Sequence, residues 1–492
     1  MKTLILGYII NEVVTERRIS LMKKTLMPKF GLWTAVAMVV GIVIGSGIFF
    51  KSDNVLIATG GSLPFALLAW VIGGVIMLVS VYAFSFAAAR VLKSNGIIDY
   101  IEAGYGKRVG YYIGWFVSWI YYPSLVGVLA WISGLYTTVL FNLAGGVDPS
   151  NASSSWIFAA VYMIAAFVLN FLSPILSGKF QVSAMVIKLV PVSLVAIVGT
   201  IVGISNGVTA ENFVNAAHVT AQASGSGLAV AVLATAFAYD GWSVALSINS
   251  ELREAKRNLP KALVIGSLIV MAAYILYNLG IAGVLANQQS ADLGDGAVTL
   301  AVQRLFGPLA GTALTVFVIV SCLGTLNGLT LAATRGLYSI AFRGKGLAPR
   351  LFVQVTDKSN TPLFSVIGGA VISIAWSVIW YGNFQGWWGG FMDISVLPIA
   401  ILYGIFVAIY IWIMRDFKDV GPFKRYVVPG LAIIGSLYIV YAALQTPLFI
   451  NFLLICLFIL SIGMFTEIYH IESDKAKAHR AAELAMANKS GR

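Results

Sequence analysis

Long apolar runs alternate with short polar connections along most of the chain. Each run approaches the roughly 20 residues that an α-helix needs to cross a bilayer. The pattern therefore predicts an all-α integral membrane protein with twelve transmembrane helices, over residues 31–50, 63–89, 110–140, 155–172, 181–204, 228–249, 262–285, 309–340, 363–381, 390–414, 427–445 and 447–469.

Composition supports this prediction, because 59% of the residues are hydrophobic and only 11% are charged. Soluble domains average about 45–50% apolar and about 25% charged residues. The N-terminal apolar stretch is too short for a cleavable signal peptide. Met22 begins a second candidate N-terminus, so whether residues 1–21 belong to the mature chain stays open.

Positive charge is concentrated on alternate connections. If residues 1–30 lie inside, 29 of the 32 Lys and Arg residues fall on inner segments, two (Lys51 and Arg304) on outer segments, and Lys188 within a run. This asymmetry follows the positive-inside rule. It predicts a cell-membrane protein whose N-terminal segment and tail (470–492) are both cytoplasmic. It also explains the net charge of +12 without a nucleic-acid partner.

Two runs are interrupted near their middle, the first at Gly45–Gly47 and the sixth at Phe237–Trp242. Glycine weakens a helix, and unwound backbone at membrane depth is tolerated only against protein or a water-filled cavity. We therefore expect discontinuous helices 1 and 6, although close helix packing also uses small residues. Breaks at matching positions favour inverted repeats over 31–204 and 228–414, followed by two helices over 427–469.

Lys188 is the cation within a predicted span. An unpaired lysine at that depth costs about 2.5 kcal/mol or more, so such residues usually mark a pathway. The alternative is a side chain that snorkels to the interface. Its ammonium could bind unwound carbonyls and hydroxyls in place of a sodium ion. It could also act as a proton switch, because burial disfavours the charged form.

Several residues near the second break and in span eight have two readings each. Asp240 is either a cap for free amides at a half-helix start or a direct contact for a substrate ammonium group. Phe237 is either a gate over the site or core packing. The hydroxyls of Ser321 and Thr325 are either site groups or interhelical contacts.

Cysteine and histidine placement predicts no chemistry at a cofactor or metal. Cys322 and Cys456 both lie within spans, and the three histidines belong to no metal-ligand or triad pattern. We expect no cofactor, no metal and no enzymatic reaction.

Four motifs resemble the amino acid–polyamine–organocation superfamily, and within it the L-type amino acid transporters and the bacterial serine/threonine exchangers. They are IGSGIF (Ile44–Phe49), FAYDGW (Phe237–Trp242), IKLVPV around Lys188, and VSCLGTLNG (Val320–Gly328). The resemblance covers roughly residues 24–470.

This resemblance implies a twelve-span inverted-repeat fold and sodium-independent amino acid exchange. It implies that the substrate carboxylate meets the amides of Gly45, Ser46 and Gly47, whereas the ammonium meets carbonyls of Val43, Phe237, Ala238 and Asp240. It further implies that Lys188 bridges spans one and eight near Ser321. The loop from Asn142 to Ser155 lacks the cysteine by which eukaryotic L-type members join a glycoprotein, so we expect no disulfide-linked heavy chain.

The sequence thus predicts a secondary-active exchanger of neutral L-amino acids that works by alternating access. One alternative keeps the fold and makes the protein a proton-coupled symporter that uses Lys188. Another makes it a membrane sensor that binds an amino acid without transporting it. The expected partners are the amino acid substrate and the lipid bilayer.

Overall fold

The computed structural model describes residues 31–91, 96–143, 145–219, 225–245, 252–294, 296–356 and 361–490. The regular elements of these residues are helices, which confirms the all-α prediction. In chain order they are α1 (Leu32–Val43), α2 (Gly47–Ala58), α3 (Leu63–Ala88), α4 (Ile97–Tyr105), α5 (Lys107–Leu140), α6 (Ser153–Leu172), α7 (Pro174–Leu194, continued by Val195–Gly199 and Thr200–Ser205), α8 (Val208–Val219), α9 (Gly225–Ala238), α10 (Trp242–Ala245), α11 (Ala255–Ala282), α12 (Asn287–Leu293), α13 (Gly296–Phe306), α14 (Pro308–Phe342), α15 (Pro349–Phe352), α16 (Leu363–Phe384), α17 (Val396–Asp416), α18 (Phe423–Leu444) and α19 (Phe449–Ser490).

Ten of the helices in the described residues are long and apolar enough to cross a membrane, and the bent pair α1–α2 is an eleventh candidate. The sixth predicted span begins with α9, which is apolar but only 14 residues long. Residues 246–251, which follow α10, lie outside the described residues. The count of twelve spans and the repeat layout therefore stay predictions.

The first span extends further than its apolar run, because α2 continues to Ala58. The expectation that Lys51 lies on an outer connection is wrong. Lys51 is inside α2 and its side chain is fully buried, since an acidic partner and two aromatic rings surround it. The polar connections 205–227 and 286–308 contain the helices α8, α12 and α13.

Helices α7 and α11 pack closely against each other, and each supplies a polar group to the site. A Cβ atom at Gly280 of α11 would lie 2.1 Å from the carbonyl oxygen of Val195, and one at Gly199 of α7 would lie 2.5 Å from that of Gly280. The two backbones therefore touch, as small residues allow in membrane helices. α14 packs against α5, α6, α7 and α16.

Candidate functional site

Both predicted helix breaks are present, and they touch each other. α1 ends at Val43 and α2 begins at Gly47 with a bend of 54°, whereas α9 ends at Ala238 and α10 begins at Trp242. A Cβ atom at Gly47 would lie 2.6 Å from the Cα of Ala238. Only glycine fits there, so a larger residue at this position would separate the breaks before it met any ligand.

The first turn of α2 presents backbone amides that have no acceptor within the helix. The first hydrogen bond of this helix joins the amide of Phe50 to the carbonyl of Ser46 at 3.1 Å. The amides before Phe50 have no acceptor within the helix, and the Ser46 side chain does not cap them. This end of a helix attracts a negatively charged group.

Tyr274 of α11 connects the two breaks. Its hydroxyl lies 3.1 Å from the carbonyl oxygen of Val43 and 3.1 Å from that of Ala238, and it donates its one proton toward both. The side chain is fully buried. The hydroxyl thus holds the ends of α1 and α9 at a fixed spacing.

A cavity of about 330 Å³ opens at the point where the breaks meet. It brings together eight of the nine site residues that the sequence predicts, namely Val43, Gly45, Ser46, Gly47, Lys188, Phe237, Ala238 and Asp240. Ser321 is not among its lining residues. The other walls are mainly apolar and include Leu125, Leu129 and Leu329.

Lys188 faces this cavity from α7, and only 4% of its surface is exposed. Its ammonium has no ion pair or hydrogen bond within the part of the chain that the structure describes. Ser321 is buried and its hydroxyl is also unpartnered there, so no bond between the two is present. Thr325, one helical turn after Ser321, lines the cavity and donates to the Ser321 carbonyl at 3.1 Å.

Asp240 is held by α5. The Tyr121 hydroxyl donates to the Asp240 carboxylate, and the amide of Gly241 also hydrogen-bonds it. The carboxylate therefore receives a backbone amide beside the break, as a cap does, while it also lines the cavity. Both readings of Asp240 stay predictions.

One end of the cavity is closed by Lys51. Its ammonium forms an ion pair with Asp393 and a hydrogen bond of 2.9 Å with the hydroxyl of Ser395. It also lies 4.3 Å from the ring centroid of Phe50 and 4.8 Å from that of Phe237. Phe237 thus packs between the cavity and this buried cation, where gating and core packing are both consistent with its position.

Comparison with known proteins identifies the family. The profile of the amino acid permease family matches residues 30–471. The chain belongs to this family. It is a member of the amino acid–polyamine–organocation superfamily, as the motifs indicate.

Relatives of this permease include transporters from bacteria and mammals. The serine/threonine exchanger SteT of Bacillus subtilis is 29% identical over 86% of this chain and 92% of that protein. The b(0,+)-type amino acid transporter 1 of Mus musculus is 27% identical over 89% and 87%, and the human cystine/glutamate transporter 25% over 90% and 82%.

A solved structure supports the fold. The crystal structure of MhsT in complex with L-phenylalanine matches with a TM-score of 0.57 and 15% identity, over 84% of this chain and 97% of that chain. At this identity the likeness concerns the fold alone. These findings establish that the permease is an amino acid transporter of the membrane.

The other end of the permease cavity adjoins a second cavity in the part of the chain that the structure describes. A second cavity of about 380 Å³ shares Tyr122, Gly328, Leu331 and Ala332 with the first. It continues past Ser243 to the exposed side chain of Arg335, and other lining residues include Ile97 and Ser339. In the described residues the cavity between the breaks therefore adjoins the cavity at the Arg335 end, and Phe237 lies between it and Lys51.

Sequence reasoning missed three functional contacts of the permease. Tyr274 and Tyr121 lie in apolar spans where a tyrosine is ordinary, so no motif distinguishes them. The pair of Lys51 and Asp393 had a signal, because each charge lies at the edge of an apolar run. When two opposite charges lie at the ends of predicted spans near a predicted site, an ion pair between them is to be expected.

Proposed function

We propose that this permease is a sodium-independent exchanger of neutral L-amino acids that works by alternating access. The observation that carries this proposal is the cavity between the two breaks, where the first residues of α2, backbone carbonyls and Lys188 face the same space. Half-helix ends of this kind bind the two charged ends of an amino acid in secondary transporters.

In this proposal the substrate carboxylate binds at the start of α2, to the amides of Gly45, Ser46 and Gly47. The ammonium binds carbonyls at the other side of the breaks, those of Val43, Phe237, Ala238 and Asp240. Two of these, at Val43 and Ala238, already accept from Tyr274, so the ammonium joins or displaces that hydroxyl.

The preference for neutral side chains rests on the walls of the cavity. Leu125, Leu129 and Leu329 offer no partner to a charged group, and the Asp240 carboxylate already accepts from Tyr121. A volume of about 330 Å³ suits a small or medium side chain. A cationic side chain against these walls would leave a buried charge unpaired, and an anionic one would find its partner only in Lys188, which has the coupling role in this proposal.

Lys188 supplies the coupling in this proposal. As a fixed charge, it fills the role of a bound cation and makes sodium unnecessary. The proton-coupled alternative also has an observation in its favour, because the buried Lys188 side chain faces the substrate cavity and has no ion pair within the described residues.

Topology and assembly are part of the same proposal. We place the permease in the plasma membrane with twelve spans, five-plus-five repeats over 31–204 and 228–414, two further helices over 427–469, and both termini cytoplasmic. We also propose that it needs no disulfide-linked heavy chain and catalyses no chemical reaction. The Arg335 end is then the cytoplasmic end, and the Lys51 end faces outward.

Counterflow in proteoliposomes tests the mechanism. Uptake of a labelled neutral amino acid should require preloaded amino acid, proceed without sodium, and be lost in Lys188→Ala. Uptake into empty vesicles that follows an inward proton gradient alone would instead support the symport alternative. Binding without uptake under either condition would favour the sensor. Thr325→Ser, which keeps the neighbouring hydroxyl, is the matched control.

A further inference from the structure

A third, much smaller cavity lies beside α2, and most of its lining residues are apolar. Its volume is about 30 Å³, enough for one water molecule or one small ion. Polar side chains reach it from three helices, with Ser52 and Asp53 on α2, Asn278 on α11, and Asn287 and Ser290 on α12.

Three of the neutral side chains of this cavity donate a hydrogen bond to a backbone carbonyl. The Ser52 hydroxyl donates to the carbonyl of Ile48 at 2.6 Å. The amide groups of Asn278 and Asn287 donate to backbone carbonyls of Tyr274 and Asn212, at 2.9 and 3.0 Å. Each of the three therefore keeps an oxygen that can accept from a ligand.

Ser290 provides an independent sign of a ligand. It is 3% exposed, and its hydroxyl has no hydrogen-bond partner in the described part of the chain. Buried hydroxyls are almost always bonded, so an orphan that borders a cavity indicates a missing partner. An ion or a water molecule in the cavity would bind the Ser290 oxygen.

The charge of the cavity is negative. Asp53 accepts from the backbone amide of Asn54 and from its side-chain amide, the latter at 3.3 Å, and within the described residues no cation pairs with its carboxylate. The other charged or titratable groups of the described chain that interact with it are Lys51 and Asp393, which pair with each other, and the hydroxyl of Tyr277. Among the described lining residues Asp53 supplies the one carboxylate, which matches one positive charge.

We propose that Asp53, Ser290 and the neighbouring amide oxygens form a binding site for one sodium ion. A divalent ion generally needs more carboxylates, and hard cations prefer oxygen ligands. The site joins α2 to α11 and α12, so it is complete only while α2 is packed against them. Sodium therefore favours the conformation in which the Lys51 end is closed.

This inference rests on the proposed function but does not make sodium a coupling ion. Lys188 still supplies the charge at the central cavity, so exchange proceeds without sodium, and sodium changes only how often the Lys51 end opens. Failure of the sodium site would leave sodium-free counterflow unchanged. Failure of counterflow would leave sodium binding measurable.

The test measures sodium binding to the purified full-length protein in detergent. Radioactive sodium binding and the thermal unfolding midpoint are recorded in sodium chloride and in choline chloride, at equal ionic strength and constant pH. We expect sodium to bind and to raise the midpoint by about 2 °C or more in the wild type. Asp53→Asn should abolish both effects.

Two further variants make the result decisive. Asp292→Asn removes an exposed carboxylate of α12 that bonds only Gln288 among the described residues, and should respond like the wild type. Ser290→Ala should weaken sodium affinity several-fold, and carries the test if Asp53→Asn does not fold. Equal sodium responses in wild type, Asp53→Asn and Ser290→Ala, or no sodium response at all, would overturn the proposal.

Discussion

The two ends of the central cavity differ in how they exclude water. At the Lys51 end, the buried ammonium of Lys51 packs with the carboxylate of Asp393 and the rings of Phe50 and Phe237. At the Arg335 end, small residues such as Ala332 and Gly328 leave a continuous passage to an exposed arginine.

This difference shows which contacts must change during transport. Opening the Lys51 end requires α2 to separate from Asp393 and Ser395, which precede α17, and breaks a specific ion pair. Closing the Arg335 end requires only that helices approach each other across small side chains. We therefore expect transport to respond to the loss of a charged group at the Lys51 end and to an increase in side-chain size at the Arg335 end.

The largest effect should come from a bulky residue in the passage. Ala332 lines both cavities, so Ala332→Trp should fill their junction and reduce transport to background. Ala332→Ser, which adds one hydroxyl, is the control and should transport normally. Substantial uptake by a correctly inserted Ala332→Trp protein would show that substrate leaves by another path.

The next effect concerns the closed end. Asp393→Ala leaves the buried Lys51 without its acidic partner, at a cost of about 3–5 kcal/mol. The closed conformation should then lose about a hundredfold of its population or more. Labelling of an Ala332→Cys reporter by an impermeant thiol reagent from the Lys51 side should rise accordingly, since native Cys322 and Cys456 are fully buried.

The control for this experiment is an exposed ion pair. Arg90 and Asp419 also form a salt bridge, but both side chains are partly exposed to solvent. Asp419→Ala should leave labelling unchanged, because surface pairs contribute about 1 kcal/mol or less. Equal labelling in Asp393→Ala and Asp419→Ala would show that the Lys51 pair does not hold the end closed.

The closed end also shows what sequence could and could not predict. Hydropathy located the membrane helices and glycine located both breaks, because each depends on local composition. The pairing of Lys51 with Asp393 joins residues 342 positions apart, so it depends on how distant helices pack. Charge counting places Lys51 on an outer connection because it takes no account of the distant Asp393 that allows this lysine to be buried.

At the site, too, some residues are predictable from local sequence and others depend on helix packing. Motifs predicted the residues of the breaks and Lys188, and these line one cavity. The position of Tyr274 depends on how α11 is rotated about its axis, and the rotation of α14 brings Thr325 rather than Ser321 to the cavity wall. The sequence of an apolar helix does not define that rotation. The roles of the predicted residues toward a substrate stay predictions.

A moderate effect should follow from the bridge between the two breaks. Tyr274→Phe removes the hydroxyl that donates to Val43 and Ala238, at about 1 kcal/mol per bond, and should lower apparent substrate affinity about fivefold. Tyr277→Phe is the matched control, since the buried hydroxyl of Tyr277 has no partner within the described chain. A similar change in KM for both variants would argue against a role of the Tyr274 hydroxyl in holding the two helix breaks at a fixed spacing.

The smallest effect should come from the charge at the open end. Arg335 is exposed, so its field is screened by salt, and it pairs with no buried group among the described residues. We expect Arg335→Gln to change the uptake rate less than about twofold at physiological salt, and any difference to shrink as ionic strength rises. Uptake from the Arg335 side, measured at low and high salt, checks this. A large loss that persists at high salt would mean that the open end also depends on a specific polar contact, and the contrast between the two ends would then no longer hold.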